Sequence, residues 1–168
     1  MDFEIKPITD VEQLKKLDFT EDGIIDPLGV NEFVKSKASS YHKNKIATVW
    51  GVTFKVDLIS FFAISMFSIQ TKKLETSEHV ADASSIHSYP SVLLGQLGTN
   101  RKHRGKGIGK MMVDFCLGLA QEIGERIACR YVVLQTDQSK TRLYENKGFI
   151  QSPKAPSDGK IWMYRRIA

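Results

Sequence analysis

The chain has 168 residues, 42% of them hydrophobic and 26% charged, with 24 Lys and Arg against 19 Asp and Glu for a net charge of +5. Such a length fits about one domain, expected to bury roughly 70% of its unfolded surface, and the composition excludes a disordered or low-complexity chain. Two cysteines, Cys116 and Cys129, at no metal-ligand spacing exclude a disulfide or zinc scaffold and lead us to expect buried, reduced thiols.

The charge is unevenly spread. Residues 1–34 sum to −6, residues 35–56 to +5 with five lysines and no acid, and residues 101–112 to +5. The opening MDFEIKPITD has no basic leader before an apolar run, and the longest apolar stretch, 58–69, has 12 residues. A bilayer span needs about 20, so a soluble, cytoplasmic chain with no membrane partner is expected.

In chain order, Phe3 to Ile8 alternates as a first strand. Thr9-Asp10-Val11-Glu12 reads as a capping box opening a short helix through Leu17. Asp18 to Pro27 is acidic and turn-rich, and Leu28 to Lys43 has the spacing of a second helix, with Lys35 and Lys37 off its apolar face. Ile46 to Phe54 and Leu58 to Ile69 are β-branched and aromatic, and Lys55-Val56-Asp57 joins them as a hairpin. The polar stretch Thr71 to Ser88 is too long for an ordinary connection and predicts a mobile or substrate-facing loop; its His79 and His87 have no further ligand at metal spacing.

A fourth strand, Ser91 to Thr99, leads into Arg101–Lys110, RKHRGKGIGK. Ile108 to Ile123 is an amphipathic helix with Ile108, Met111, Met112, Phe115, Cys116, Leu119 and Ile123 on one face. Tyr131 to Gln135 is a short strand, Ser139 to Lys147 a short helix stopped by Gly148, and Phe149-Ile150 and Ile161 to Ile167 close the sheet. The order β-α-α-β-β-β-α-β-α-β-β predicts one mixed α/β (α+β) domain over 1–168, a mostly antiparallel seven-stranded sheet flanked by about four helices.

The glycine loop carries the chemistry. Gly105, Gly107 and Gly109 leave backbone that a ligand can approach closely, four cations (Arg101, Lys102, Arg104, Lys106) surround it, and a helix begins inside it. That is the recipe for binding a pyrophosphate or other multiply charged anion at a helix N-terminus. A P-loop would need a hydroxyl where Met111 stands, and a dinucleotide fingerprint would need G-x-G-x-x-G on the first βα turn; G-x-G-x-G after four strands is neither.

Arg104-x-x-Gly107-x-Gly109 between a strand and an amphipathic helix, with Leu143-Tyr144-Glu145-Asn146-Lys147-Gly148-Phe149 downstream, resembles the GNAT family of N-acetyltransferases. Val30 to Val34, Val56 to Ser65 and Tyr89 to Thr99 are similar to its toxin–antitoxin branch, which acetylates aminoacyl-tRNA. The chain departs from that branch at Gly98 and Thr99, where Ala-Val is usual, and at Lys140, where a small residue is usual.

The resemblance implies acetyl-CoA as co-substrate and no metal. Its pyrophosphate would lie on Arg104, Gly105, Lys106, Gly107, Ile108 and Gly109, and its pantetheine arm along Leu97, Gly98 and Thr99. Tyr144 would stabilise the departing thiolate or protonate it. With ordinary pKa values near 10 and 8.5, full transfer is uphill by ~2 kcal/mol unless a neighbour such as Lys140, Arg142 or Lys147 lowers the tyrosine.

No general base stands out, although Glu32 or a water stays open for that role. The chemistry therefore suits an α-amine of pKa near 7.7–8 better than a lysine amine near 10.4. Lys35, Lys37, Lys140 and Arg142 would face an RNA acceptor. A small DNA-binding antitoxin and a homodimer are further expectations of the resemblance. Two other functions fit the same residues: an acetyltransferase for a small amine or protein N-terminus, and a coenzyme A-binding module without turnover.

Overall fold

The computed structural model describes residues 2–81 and 85–167. Seven strands, β1 (Phe3–Pro7), β2 (Thr48–Phe54), β3 (Asp57–Gln70), β4 (Ser88–Thr99), β5 (Tyr131–Thr136), β6 (Ile150–Gln151) and β7 (Ile161–Arg166), form one sheet in the order β1-β2-β3-β4-β5-β7-β6. The helices are α1 (Val30–Ser36), α2 (Ala38–Lys43), α3 (Ile108–Arg126) and α4 (Thr141–Glu145), with short 3-10 turns between elements. The chain divides into two compact units, one of residues 1–65 and 94–112, the other of 66–93 and 113–168.

In the first unit, β1 pairs antiparallel with β2 from Phe3↔Phe54 to Pro7↔Trp50, and β2 with β3 from Phe54↔Asp57 to Thr48↔Ile64. The β2–β3 hairpin forms as its pattern predicts, turning on Lys55, whose φ of 57° is left-handed. Its core gathers Val11, Leu14, Phe19, Phe33, Val34, Ala38, Val49 and Phe61, with Phe33 stacked on Phe61 at 6.1 Å. Burial of such side chains contributes about 1.5–3 kcal/mol each.

Two local expectations are corrected here. The turn before Leu17 is 3-10, Val11–Lys16, and its cap is Asp10 rather than Thr9: the Asp10 carboxylate accepts from Glu12 N–H at 3.1 Å. The helix expected over 28–43 is two helices, broken at Lys37 (φ −128°), so that Ala38 turns into the core. Asp26 begins α1 by accepting from Val30 N–H at 2.7 Å.

In the second unit, β7 pairs antiparallel with β5 and with β6. Its core holds Ile69, Leu74, Tyr89, Tyr131, Val133 and Tyr164. The 71–88 stretch, expected as a mobile or substrate-facing loop, is in its described part a fastened strap. Leu74 is buried, Glu75 N–H donates to the Tyr164 hydroxyl at 3.1 Å and Val80 N–H to the Tyr89 hydroxyl at 2.9 Å, while the Tyr131 hydroxyl donates to Glu78 at 2.9 Å. Lys73 lies over the Trp162 ring at 4.2 Å. His79 is part of the fastening, with Nε2 3.0 Å from Thr71 O.

Helix α3 runs three residues past its expected end, and its buried stripe (Ile108, Met112, Val113, Cys116, Leu117, Ala120) is turned by about one position, leaving Met111, Phe115 and Leu119 half-buried. Cys116 and Cys129 are free and buried, and burial pushes the Cys116 thiol up to about 12. No described helix is long and apolar enough to cross a membrane, and among the described residues no group of three or more His, Cys, Asp or Glu is placed to hold a metal ion.

Candidate active site

The anion loop lies in the first unit, at the start of α3. Gly105 and Gly107 have φ of 77° and 78°, conformations that cost an L side chain about 1–2 kcal/mol, and a Cβ at either would meet nothing within 4 Å. These two glycines are thus required by backbone shape. Among the described residues, the N–H groups of Gly105 to Lys110 donate to no backbone carbonyl, and the first such bond is Met111 N–H to Gly107 O at 3.2 Å. A helix start leaves its first donors free, and the six here have no backbone acceptor among the described residues. Ile108 contributes only backbone, since its side chain is in the core. Lys102, Lys106 and Lys110 are exposed around the loop, with Lys106 Nζ 3.4 Å from His103 Nδ1.

Arg104 stands otherwise than expected. Its Nη2 donates to Phe19 O at 2.7 Å, Nη1 to Thr20 O at 2.9 Å and Nε to Thr99 O at 3.3 Å. Most of the guanidinium is committed to the protein's own carbonyls.

The end of β4 is also more internally engaged than its pattern suggests. A Cβ on Gly98 would come within 2.7 Å of Val30 Cγ1, 2.9 Å of Phe19 Cδ1 and 3.0 Å of Phe61 Cε1. The glycine there makes room for the core; a clearance beside a pantetheine arm is not what requires it. Ser60, fully buried on β3, donates to Gly98 O at 2.6 Å and lies 2.9 Å from Thr99 Oγ1 and 3.1 Å from Met112 Sδ. Leu97 and Thr99 are half-buried.

In the second unit, Tyr144 sits on α4 with 5% of its surface exposed, its ring edge-on to Phe149 at 5.9 Å. The helix ends as read: Phe149 N–H donates to Tyr144 O, and Gly148 takes φ 84°. The expectation that neighbouring cations lower the tyrosine is wrong. Burial pushes its pKa up to about 12, and the negative charge of Asp137 adds to the rise. The cations are spent elsewhere: Lys140 pairs with Asp137, and Lys147 with Asp114 at 2.7 Å.

Asp137, unremarked in the sequence, organises this corner. Its carboxylate accepts from Ser139 N–H at 2.9 Å, from the Ser139 hydroxyl and from Lys140. Burial raises its pKa, but the hydrogen bonds of Lys140 and Ser139 outweigh it and the net shift is downward. A capping signal D-x-S was the readable clue. Arg142 is exposed. In the first unit Lys35 and Lys37 are exposed, as are Lys43 and Lys45, and none is in an ion pair among the described residues.

The first unit thus holds a run of N–H groups without backbone acceptors at the start of a long helix, fringed with lysines, and the second a buried tyrosine on a short helix. Residues 73–151 match the model of the acetyltransferase (GNAT) domain. The chain is 28% identical over 138 residues to a probable toxin TacT of Sinorhizobium fredii (strain NBRC 101917 / NGR234), covering 76% of this chain and 75% of that one. Its fold is shared with a bacterial toxin (TM-score 0.83, 17% identity, 98% of this chain and 90% of that one). It is shared too with AtaT complexed with acetyl-methionyl-tRNAfMet (TM-score 0.73, 17% identity, 96% and 94%).

Proposed function

We propose that this protein transfers the acetyl group of acetyl-CoA to the α-amine of aminoacyl-tRNA, as a toxin-like inhibitor of translation working in the cytoplasm, where both substrates occur. The observation that carries the reading is the run of N–H groups from Gly105 to Lys110 without backbone acceptors, the recipe for the pyrophosphate of coenzyme A. The likeness to AtaT in complex with acetyl-methionyl-tRNAfMet supports the acceptor. The unpaired lysines Lys35, Lys37, Lys43 and Lys45 suit an RNA backbone, and Arg142 suits it as well. Lys140 is better placed as the partner of Asp137 than as an RNA contact. The likeness to an AtaT toxin bound to the C-terminus of the antitoxin AtaR further supports an antitoxin as partner. Because β3, β4 and α3 each contribute to both compact units, we read 1–168 as one acetyltransferase domain.

In the reaction the amine nitrogen attacks the thioester carbon, the C–S bond breaks, and one N–H proton is lost while the sulfur leaves as thiolate. Loop N–H groups hold the pyrophosphate, and backbone groups of Leu97 and Thr99 direct the pantetheine arm. Tyr144 donates a hydrogen bond to the departing sulfur. At a pKa of about 12 its proton is 3–4 units too tightly held to pass to a thiolate near 8.5, an uphill step of ~5 kcal/mol. It therefore stabilises the leaving group without giving up its proton, and the thiolate is protonated from water or from the proton the amine releases. An acceptor whose amine is partly neutral near pH 7 needs no strong base, which fits the lack of an evident one.

Acetyl transfer measured on charged tRNA against a panel of free amines and peptides tests the reading. Transfer to charged tRNA, falling steeply with salt, is expected. Turnover on small amines alone would refute the acceptor, and coenzyme A binding with no turnover on any amine would refute the enzyme.

A further inference from the structure

The stretch Asp18-Phe19-Thr20 has no strand partner, yet all six of its backbone polar groups are engaged. Asp18 N–H donates to Asn100 Oδ1 at 3.2 Å, and Asp18 O accepts from Arg101 N–H at 2.8 Å. Phe19 N–H donates to Asn31 Oδ1 of α1 at 3.4 Å, and Thr20 N–H to the Asp18 carboxylate at 2.9 Å. The carbonyls of Phe19 and Thr20 both go to Arg104. Asn100, Arg101 and Arg104 are thus three rungs that stitch residues 18–20 to the end of β4. The Phe19 ring completes the seam, edge-on to Phe61 at 5.1 Å and against Gly98.

We propose that Arg104 is a positioning residue that fastens the 18–27 segment, and through it the start of α1, to the anion loop, setting the acceptor side of the enzyme instead of pairing with the pyrophosphate. Three carbonyls lie at hydrogen-bond distance of its three nitrogens, a planar fork that only arginine presents. The Asp18 carboxyl, held below its usual value first by the Thr20 hydroxyl and N–H, draws also on the charges of Arg101 and Arg104. A phosphate seeking Arg104 would compete with all of these, whereas the loop N–H groups and Lys102, Lys106 and Lys110 are open to it. The chain between Thr20 and Val30 carries Asp22 (φ 48°) and Gly23 (φ 87°), a tight acidic turn closed by the Glu21↔Ile25 bridge, and ends on the Asp26 cap of α1. Whatever holds 18–20 therefore holds the entry to the helix that bears Lys35.

The inference rests on the acetyltransferase reading only for its kinetic arm. Arg104→Lys keeps the charge and loses the fork; Arg104→Gln loses the charge. Both are compared with the parent by coenzyme A calorimetry, by amide exchange over 18–27 and by steady-state kinetics. Coenzyme A affinity of Arg104→Lys is expected to stay within about twofold, while exchange over 18–20 speeds about tenfold and KM for charged tRNA rises about tenfold, the size expected for losing charge-assisted hydrogen bonds. A tenfold loss of coenzyme A affinity in Arg104→Gln, restored by Arg104→Lys, with exchange over 18–20 unchanged in both, would overturn it. Should those variants fold poorly, Asn100→Ser removes one rung alone. Faster exchange over 18–20 with unaltered coenzyme A affinity supports the seam, and unchanged exchange refutes it. If no amine is ever acetylated the proposed function fails, and the exchange and calorimetry arms still decide the role of Arg104.

Discussion

As proposed anion site and proposed catalytic residue, the 105–110 loop and the Tyr144 helix are built in opposite ways. Residues 105–110 present backbone: donors left open, two glycines in left-handed conformation and no side chain obliged to touch the ligand. The α4 corner offers one side chain, a tyrosine 5% exposed, beside the ion pairs Lys140–Asp137 and Lys147–Asp114, with the Asp137 charge still raising its pKa. A site made of backbone tolerates side-chain change and is sensitive to dihedral angles. A site made of one side chain is indifferent to backbone detail and intolerant of substitution at that residue.

Substitutions break the contrast in graded ways. Tyr144→Phe keeps the edge-on contact with Phe149 and deletes only the hydroxyl, so acetyl transfer should fall by ~10²–10³-fold with little change in melting temperature. An undiminished kcat would remove Tyr144 from the chemistry. Gly98→Ala drives a methyl to 2.7 Å from Val30 and should cost about 1–3 kcal/mol in urea unfolding, a stability effect without a matching loss of coenzyme A affinity in the folded fraction. Gly107→Ala meets no neighbour within 4 Å, so its cost of ~1 kcal/mol comes from φ alone, and it should raise KM for acetyl-CoA while leaving the acceptor KM in place.

The mildest test is pH. With Tyr144 raised to about 12, the rise of kcat/KM near pH 8 belongs to the acceptor amine, and no fall from this tyrosine should occur up to pH 10. For stability the sign is fixed by the upward shift. The contribution of keeping Tyr144 protonated is complete below its unfolded value near 10 and is lost as pH rises towards 12, which an alkaline melt series would register.

Much of the candidate backbone site is legible in the sequence because it is written in local chemistry. Glycines at 105, 107 and 109 before an amphipathic stripe can be read without knowing any distant contact, and so can the Gly148 stop after α4 and the β2–β3 hairpin. The misreadings fall mostly where distant parts of the chain decide. Arg104 looks like a phosphate ligand until residues 84 and 85 positions away supply its carbonyls. At Gly98 the reason for a glycine is not legible until Val30, Phe19 and Phe61 arrive beside it. The lysines around Tyr144 look like activators until Asp137 and Asp114 neutralise them. The break at Lys37 likewise follows from burying Ala38, which periodicity over 28–43 does not reveal.

The fastened strap has an optical consequence. Tyr131 and Tyr164, whose hydroxyls bind Glu78 and Glu75, are both held above their ordinary pKa by burial, as Tyr144 is. Three of the five tyrosines therefore turn to phenolate late in an alkaline absorbance titration, and the signal of the one on α4 is overlaid by two that only tie down a segment. Tyr144 becomes visible in the ultraviolet only as the difference between the parent and Tyr144→Phe spectra, while the remaining late absorbance reports when the strap lets go.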